Sequence, residues 1–436
     1  MRTTDIRVKE VRHSYQDFRY RTPLKFGGQS LDRVTLLNVE MVVETGRGVV
    51  ATGYGSMPLG NVWAWPSKEL SYEQTLHLMR LAADEGMYAG YLHTLGGHPI
   101  EITNKLEGYF EFEAECLTAP EPPAPLLAVL VVASAFDAAL HDAFGKAHGR
   151  SVYHCYGPEF LGADALDRFV TREPQPRMPL YHLVGALDPL TAADVVAPVG
   201  DGLPETLAEW VRTDGLTHLK IKLNGDDLGW DVDRVLRVNA VADECRPGGA
   251  WHFSLDFNER CQSVAYLLAC LEQVRAKAPS AYDRIQYVEQ PTHRDLKAHP
   301  GNRMHEAAKL KPVVIDESLT DLESLHLARE LGYTGVAFKA CKGQTQTLLL
   351  AAEAQRLGMF RCVQDLTCPG ASLIHSAGLA AHIPGVAAIE ANSRQYVPAA
   401  NVGWDERFPG LFTTRDGTLH TGQLTGVGLG FGERRA

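Results

Sequence analysis

Two lysines one residue apart close an apolar run, Leu219-Lys-Ile-Lys222, and side chains two apart on a strand point the same way. Three later runs each end in a carboxylate: Phe253-Ser-Leu-Asp256, Tyr287-Val-Glu289 and Val313-Val-Ile-Asp316. A fourth, Val336-Ala-Phe-Lys339, ends in a lysine. Taken singly, an Asp after a strand is most often a helix N-cap or a turn residue. Five successive strand ends in the order lysine, acid, acid, acid, lysine carry more. Three carboxylates meeting at one point repel unless a hard cation sits among them, and oxygen-only ligation suits Mg²⁺, with Mn²⁺ as the alternative. Asp256, Glu289 and Asp316 are therefore the expected ligands. A lysine beside a divalent cation and a second ammonium has its neutral form favoured and can serve as a base. The proton next to a carboxylate is barely acidic in water, and a metal supplies the stabilisation its removal needs. Proton movement at that carbon, on a small carboxylic acid, is the expected chemistry.

Such residues meet only if the strands that carry them are neighbours. Strands are expected at 180–184, 218–223, 252–257, 286–289, 312–316, 335–338, 360–363 and 387–390, with helical spacing between several of them, at 230–244, 263–277 and 322–331. Alternation of this kind predicts parallel strands with crossover helices. Ionisable residues at the strand ends fall at 222, 256, 289, 316, 339, 365 and 390, or 23 to 34 residues apart. A closed eight-unit barrel needs roughly 30 residues per unit and carries its site at the C-terminal strand ends. Strands two and six face each other across the mouth, so Lys222 and Lys339 would flank a substrate on opposite faces. The region before the Pro-rich stretch at 173–179 reads as α+β. It begins with alternating strands over 6–44, turning near Lys25-Phe-Gly-Gly28. Helical spacing follows over 72–84 and 127–144, where Ser134, Asp137, His141 and Asp142 interrupt apolar positions. The Gly-rich segment 417–430 is expected to be strand-like and to return to this first region.

The 436 residues carry a formal charge of −11 with both signs mixed, which argues against a nucleic-acid partner. Eight scattered cysteines without a CxxC pair predict neither zinc ribbon nor redox motif. The first residues lack a secretory apolar core, and the apolar run 126–136 is shorter than a membrane span of about 20 residues. No membrane partner and a cytoplasmic location are expected, with a symmetric homo-oligomer as the usual assembly.

With these motifs in place, the chain resembles the enolase superfamily, in its mandelate racemase and muconate-lactonizing-enzyme-like group. The resemblance rests on Lys220-x-Lys222, Asp256-x-Asn258, Glu289-Gln-Pro291, Asp316-Glu-Ser318 and Lys339. It extends to Ala135-Phe-Asp-Ala-Ala-Leu-His-Asp-Ala-Phe-Gly-Lys146 and Thr414-Arg-Asp-Gly-Thr-Leu, and so covers nearly the whole chain. It implies an α/β fold, a (β/α)₇β modified TIM barrel over 178–395, under an α+β capping domain over 1–177 completed by 396–436. It also implies Lys222 and Lys339 as acid/base groups, with Lys220 as a supporting charge. Racemisation or epimerisation is the preferred reaction; dehydration or cycloisomerisation is the alternative, and a non-catalytic binding barrel the remote one.

The chain departs from the family after the sixth strand, where Lys339-Ala-Cys-Lys-Gly-Gln344 lacks a paired glycine, and at strands seven and eight, which lack an Asp-x-Asp pair. These departures bear on specificity. Asn258, Asp365, Glu390 and Asn392 are the substrate-contact candidates at the strand ends. For Asp365 and Glu390 the competing role is an ion pair or cap at the rim. Trp63 and Trp65, with the Gly27-Gly28 turn, would form an apolar lid, although interdomain packing explains two tryptophans as well. His182 is a further substrate-contact candidate, and Lys342 is expected to be a solvated loop residue.

Overall fold

The computed structural model describes residues 2–26, 29–85, 92–116 and 124–432. Two strands, β1 (Ile6–Phe26) and β2 (Gln29–Thr45), form a long antiparallel hairpin, joined by β3 (Val50–Pro58) and the short β4 (Gly96–Gly97) in the order β3-β2-β1-β4. The Gly27-Gly28 turn lies outside the described residues. Leu37, Val39, Met41 and Val43 are fully buried, the period-two pattern of a strand with one face on a core. Helices α1 (Asn61–Ala64), α2 (Tyr72–Glu85), α3 (Pro99–Cys116) and α4 (Leu126–Ala147) complete this part.

Helix α4 lies directly on β3. A Cβ added at Gly53 would stand 2.1 Å from the Ala139 carbonyl oxygen, and one at Gly55 2.0 Å from that of Ala135, so the contact needs bare backbone on the strand and alanines on the helix. The helix expected over 127–144 runs from Leu126 to Ala147. Among the described residues α4 is the one helix long and apolar enough to cross a membrane, and 94% of that stretch is buried inside the protein. Its polar side chains tolerate this because they have partners there: Asp142, for example, accepts from the Tyr54 and Leu429 amides.

Eight parallel strands then close a barrel: β5 (Met178–Val184), β6 (His218–Lys222), β7 (His252–Asp256), β8 (Ile285–Glu289), β9 (Val313–Ile315), β10 (Gly335–Phe338), β11 (Phe360–Val363) and β12 (Val386–Glu390). Pairing of β12 with β5 completes the ring. Each strand end lies within two residues of its expected position. The crossovers are α5 (Leu207–Asp214), α6 (Leu228–Cys245), α7 (Val264–Lys277), α8 (His305–Ala308), α9 (Leu322–Glu330), α10 (Gln344–Arg356) and α11 (Ala371–His382). This is a modified TIM barrel with an antiparallel-sheet cap.

The barrel is filled by an apolar layer of Tyr181, Tyr287, Val314, Ala337, Cys362 and Ala388. Two residues further along the same strands stand Leu183, Glu289, Asp316, Lys339, Gln364 and Glu390. Alternation therefore turns them toward the same interior, one layer nearer the mouth. The Gly-rich 417–430 segment departs from expectation, since its named strand is β13 (Thr418–Leu419) alone, paired antiparallel with β5. Beyond it the chain turns back toward α4, where Gly428 bridges Ser151.

Candidate active site

Strand β8 is the axis of a near-symmetric charge pattern. Glu289 ends it, Asp256 and Asp316 end or follow its two neighbours, and Lys222 and Lys339 come from the strands beyond, β6 and β10. In an eight-strand ring β6 and β10 lie four strands apart, on opposite walls. Lys222 Nζ donates to Asp256 Oδ2 at 2.5 Å and to Asn258 Oδ1 at 3.1 Å. On the other wall Lys339 Nζ stands 2.9 Å from Asp316 Oδ2. Lys220 fills the centre, donating to Glu289 Oε1 at 2.8 Å, Glu390 Oε2 at 2.9 Å and Gln364 Oε1 at 2.7 Å, with Asp256 Oδ2 at 3.1 Å.

Burial and neighbouring charge compete at every group. Burial alone would raise Asp256, but Lys222 and Lys220 outweigh it and hold that carboxyl well below the usual range. Asp316 is likewise brought down to about 2, against burial, by Lys339 and Lys342. At Glu289 burial wins, helped by Asp256 and Asp316, and its carboxyl is pushed well up. Burial lowers Lys339, but Asp316 together with Glu317 and Cys341 overcomes it and the amine is raised. Those shifts describe the arrangement with amines, not a metal ion, beside the carboxylates.

With Lys220 between Asp256 and Glu289, and two amines on Asp316, no three acidic, His or Cys side chains among the described residues are grouped as a metal site. The charge balance nevertheless fits a divalent cation. Were all six buried carboxylates (Asp256, Glu289, Asp316, Glu317, Asp365, Glu390) ionised, the four buried amines (Lys220, Lys222, Lys339, Lys342) would leave two negative charges uncompensated. Glu289 Oε2 is buried with no hydrogen-bond partner, and Asp316 Oδ2 has an ion-pair neighbour but no aligned hydrogen bond. Three strand-end carboxylates of hard oxygen donors, one with an orphaned atom, match what Mg²⁺ takes.

The remaining candidates divide. Asn258, at φ 44°, braces Lys222 and also donates to Glu317 Oε1 at 3.3 Å; it does not line the cleft between barrel and cap. Glu390 is held by Lys220 and by the Asp365 amide. Asn392 lines the cleft, donates to Glu390 Oε1 at 3.1 Å, and keeps a buried Oδ1 without a partner. Trp63 lines it too: its Nε1 donates to Glu317 Oε1 at 3.1 Å, and Lys339 Nζ lies 4.2 Å from its ring centroid. Trp65 does not line the cleft, because it is buried in the main core. His182 is also absent from it. It points outward from β5 onto Trp210, 5.4 Å between rings, and burial pushes it down to about 3.

Lys342 overturns its expectation. It is 2% exposed, its amine donates to the Asp316 carbonyl at 2.6 Å, and burial lowers it. Glu317, to which the sequence assigned no role, is also buried there; burial, then Asp316, pushes it up to about 7. Free space in the cleft is about 30 Å³, room for roughly two water molecules.

A charged ring at the C-terminal mouth of a closed barrel, beneath an antiparallel cap, defines the class of protein. Residues 202–435 match the model of the family described as Enolase C-terminal domain-like. The protein therefore belongs to that family, in the mandelate racemase/muconate lactonizing enzyme group of the enolase superfamily. No curated protein shows significant similarity to the chain. Among solved structures, a mandelate racemase/muconate lactonizing enzyme from Bordetella bronchiseptica RB50 shares 19% identity, over 99% of this chain and 98% of that one, at a TM-score of 0.65. A dipeptide epimerase from Enterococcus faecalis V583, complexed with Mg and L-Leu-L-Tyr, shares 18% over 97% and 99%, at 0.64. A muconate lactonizing enzyme from Pseudomonas fluorescens, complexed with muconolactone, shares 18% over 97% and 96%, at 0.62. At such identities the likeness is one of fold.

Proposed function

We propose that the protein is a Mg²⁺-dependent isomerase that inverts the carbon next to the carboxylate of a small acid, using Lys222 and Lys339 as its two acid/base groups. The observation that carries this reading is the pair of buried amines on opposite walls, each against a carboxylate that flanks Glu289. An enzyme of the isomerase or lyase kind is also what membership of this superfamily implies. Asp256, Glu289 and Asp316 would hold the ion. When bound, it supplies the positive charge that lets a substrate carboxylate take up further negative charge.

The protein's own groups then do the rest. One lysine, neutral, removes the proton from its face; the other, protonated, returns one to the opposite face, so no atom is lost. Lys220, among three carboxylates and a carboxamide, stays cationic. The cleft has about 30 Å³ of free space, so an acid larger than a few water molecules would enter with movement on the α1 side. The same reading divides the chain into a cap over 1–177 with 396–436 and a barrel over 178–395.

The test is incubation with Mg²⁺ and a panel of acids in D₂O, followed by NMR. Deuterium entering next to the carboxylate with retention of the β-substituent supports isomerisation. Loss of water or ring formation moves the assignment to a dehydratase or cycloisomerase, and no exchange with any acid argues against the reading. Lys222→Met and Lys339→Met are each expected to lower inversion by about 10²- to 10⁴-fold, and chelation of the metal to abolish it.

A further inference from the structure

Helix α10 follows the strand that carries Lys339, and it begins without a side-chain cap of its own, its N-cap being Gly343 at φ 98°. The missing acceptor comes from elsewhere in the chain. Asp137, in the middle of α4 and 2% exposed, accepts from the Thr345 amide at 2.8 Å and the Thr345 hydroxyl at 2.9 Å. The Thr103 hydroxyl of α3 donates to it at 2.8 Å. A Cβ on residue 343 would stand 3.1 Å from Asp137 Oδ2, so the close approach and the left-handed backbone both require glycine there.

The protons in this interface have one consistent order. Gln344 Nε2 donates to the Tyr156 hydroxyl at 3.0 Å, which must then give its proton to His141 Nδ1 at 3.0 Å. His141 is neutral, since burial pushes it down to about 3, so its proton is on Nε2 and goes to Thr345 Oγ1 at 2.9 Å. The Thr345 hydroxyl is left to donate to Asp137. The chain of donors therefore ends on Asp137, which accepts at the positive end of a 13-residue helix while burial raises its carboxyl against the Thr345 and Thr103 bonds.

The turn between Lys339 and this cap is short and tied at both ends. Lys342 and Gly343 amides bond back to the Lys339 and Ala340 carbonyls, and Thr347 Oγ1 in α10 donates to the Lys339 carbonyl at 3.1 Å. We propose that Asp137 is a positioning residue for the reaction: by capping α10 from another part of the chain, it fixes the Lys339–Gly343 turn and with it both amines that reach Asp316. This rests on the two-lysine reading above. It assigns to α4 a duty beyond packing, because the site on the Lys339 wall is complete only when α4 is docked.

The test separates the two walls. In D₂O with each enantiomer of a turned-over acid, exchange of one antipode starts at Lys339 and of the other at Lys222. Asp137→Asn and Thr345→Val are expected to slow the Lys339-side exchange by roughly tenfold to a hundredfold, with the Lys222 side within about twofold. Thr345→Ser, which keeps the hydroxyl, should restore it. In parallel, amine-reactive labelling read by mass spectrometry should rise at Lys339 and Lys342 in both variants, with or without a substrate. Equal slowing at both walls with unchanged labelling would assign Asp137 a merely structural role and overturn the proposal; so would folded variants indistinguishable from the parent. Should Asp137→Asn not fold, Thr345→Val decides. If the parent protein exchanges no acid, the proton-transfer reading fails while the labelling still decides the positioning.

Discussion

Both carboxylate oxygens of Asp365 are taken up by backbone: Oδ1 accepts from the Leu366 and Cys368 amides at 2.9 and 2.8 Å, Oδ2 from the Asn392 amide at 2.9 Å. Burial, then Glu390, raises its carboxyl to about 6. Such a group holds the β11 and β12 loops together and has little left for a ligand. Asp365→Ala is expected to lower stability by about 1–3 kcal/mol, seen in urea denaturation, with KM for a turned-over acid changed less than about threefold. A tenfold rise in KM at unchanged stability would make Asp365 a substrate contact instead. Asn392 differs, since it lines the same cleft and keeps a buried Oδ1 without a hydrogen-bond partner. At this scale the sequence displayed the lysines and the three strand-end acids, because apolar strands ending in charge are visible in one dimension. Lys342 was hidden: Ala340–Lys342 form a 3₁₀ turn, where residues three apart eclipse. The 339/342 spacing held that signal, but a loop reading placed the second amine in solvent.

The four-residue helix α1 shows how one small element joins cap to barrel. Besides the Trp63 bond to Glu317, Arg294 Nη1 donates to the Trp63 carbonyl at 3.0 Å, and Arg294 is itself paired with Glu259. Trp63→Phe keeps the ring beneath Lys339 and removes the donor from a buried carboxylate. The expected cost is about 1–2 kcal/mol, with faster proteolysis of the segment around α1, both measurable without a substrate. No change in either would mean that α1 is held by its backbone contact alone. The elements themselves were unequally legible. Barrel strands stood out as short apolar runs between helical spacings. Helix α3 did not, because Phe110-Glu-Phe-Glu-Ala-Glu115 alternates in sequence like a strand. Strand β3 was obscured by Gly53 and Gly55, which weaken a strand pattern yet are required by α4.

Buried neutral histidines tie the stability of the whole molecule to pH. His182 is pushed down to about 3 by burial, as is His141; His375 and His382 are pushed down to about 4. They sit in separate places: on the outer wall of β5, at the α4–α10 interface, and at the end of α11, where His382 stacks on Tyr153 at 3.7 Å. In the unfolded chain each titrates near 6.5. Between that value and the folded ones the unfolded state binds more protons, so stability rises with pH there and is lost as pH falls below about 6.5. At about pH 5 each such group costs on the order of 2 kcal/mol. Buried carboxylates such as Asp142 and Asp188, raised by burial, titrate with the opposite sign and offset part of the loss. The net expectation is a melting temperature lower by roughly 5 °C or more at about pH 5 than at about pH 7.5. His182→Phe should flatten that slope, because its ring needs no proton-dependent partner on Trp210. Calorimetry across the interval decides, and a melting temperature constant to within about 2 °C would mean that these rings are already solvated in the folded protein.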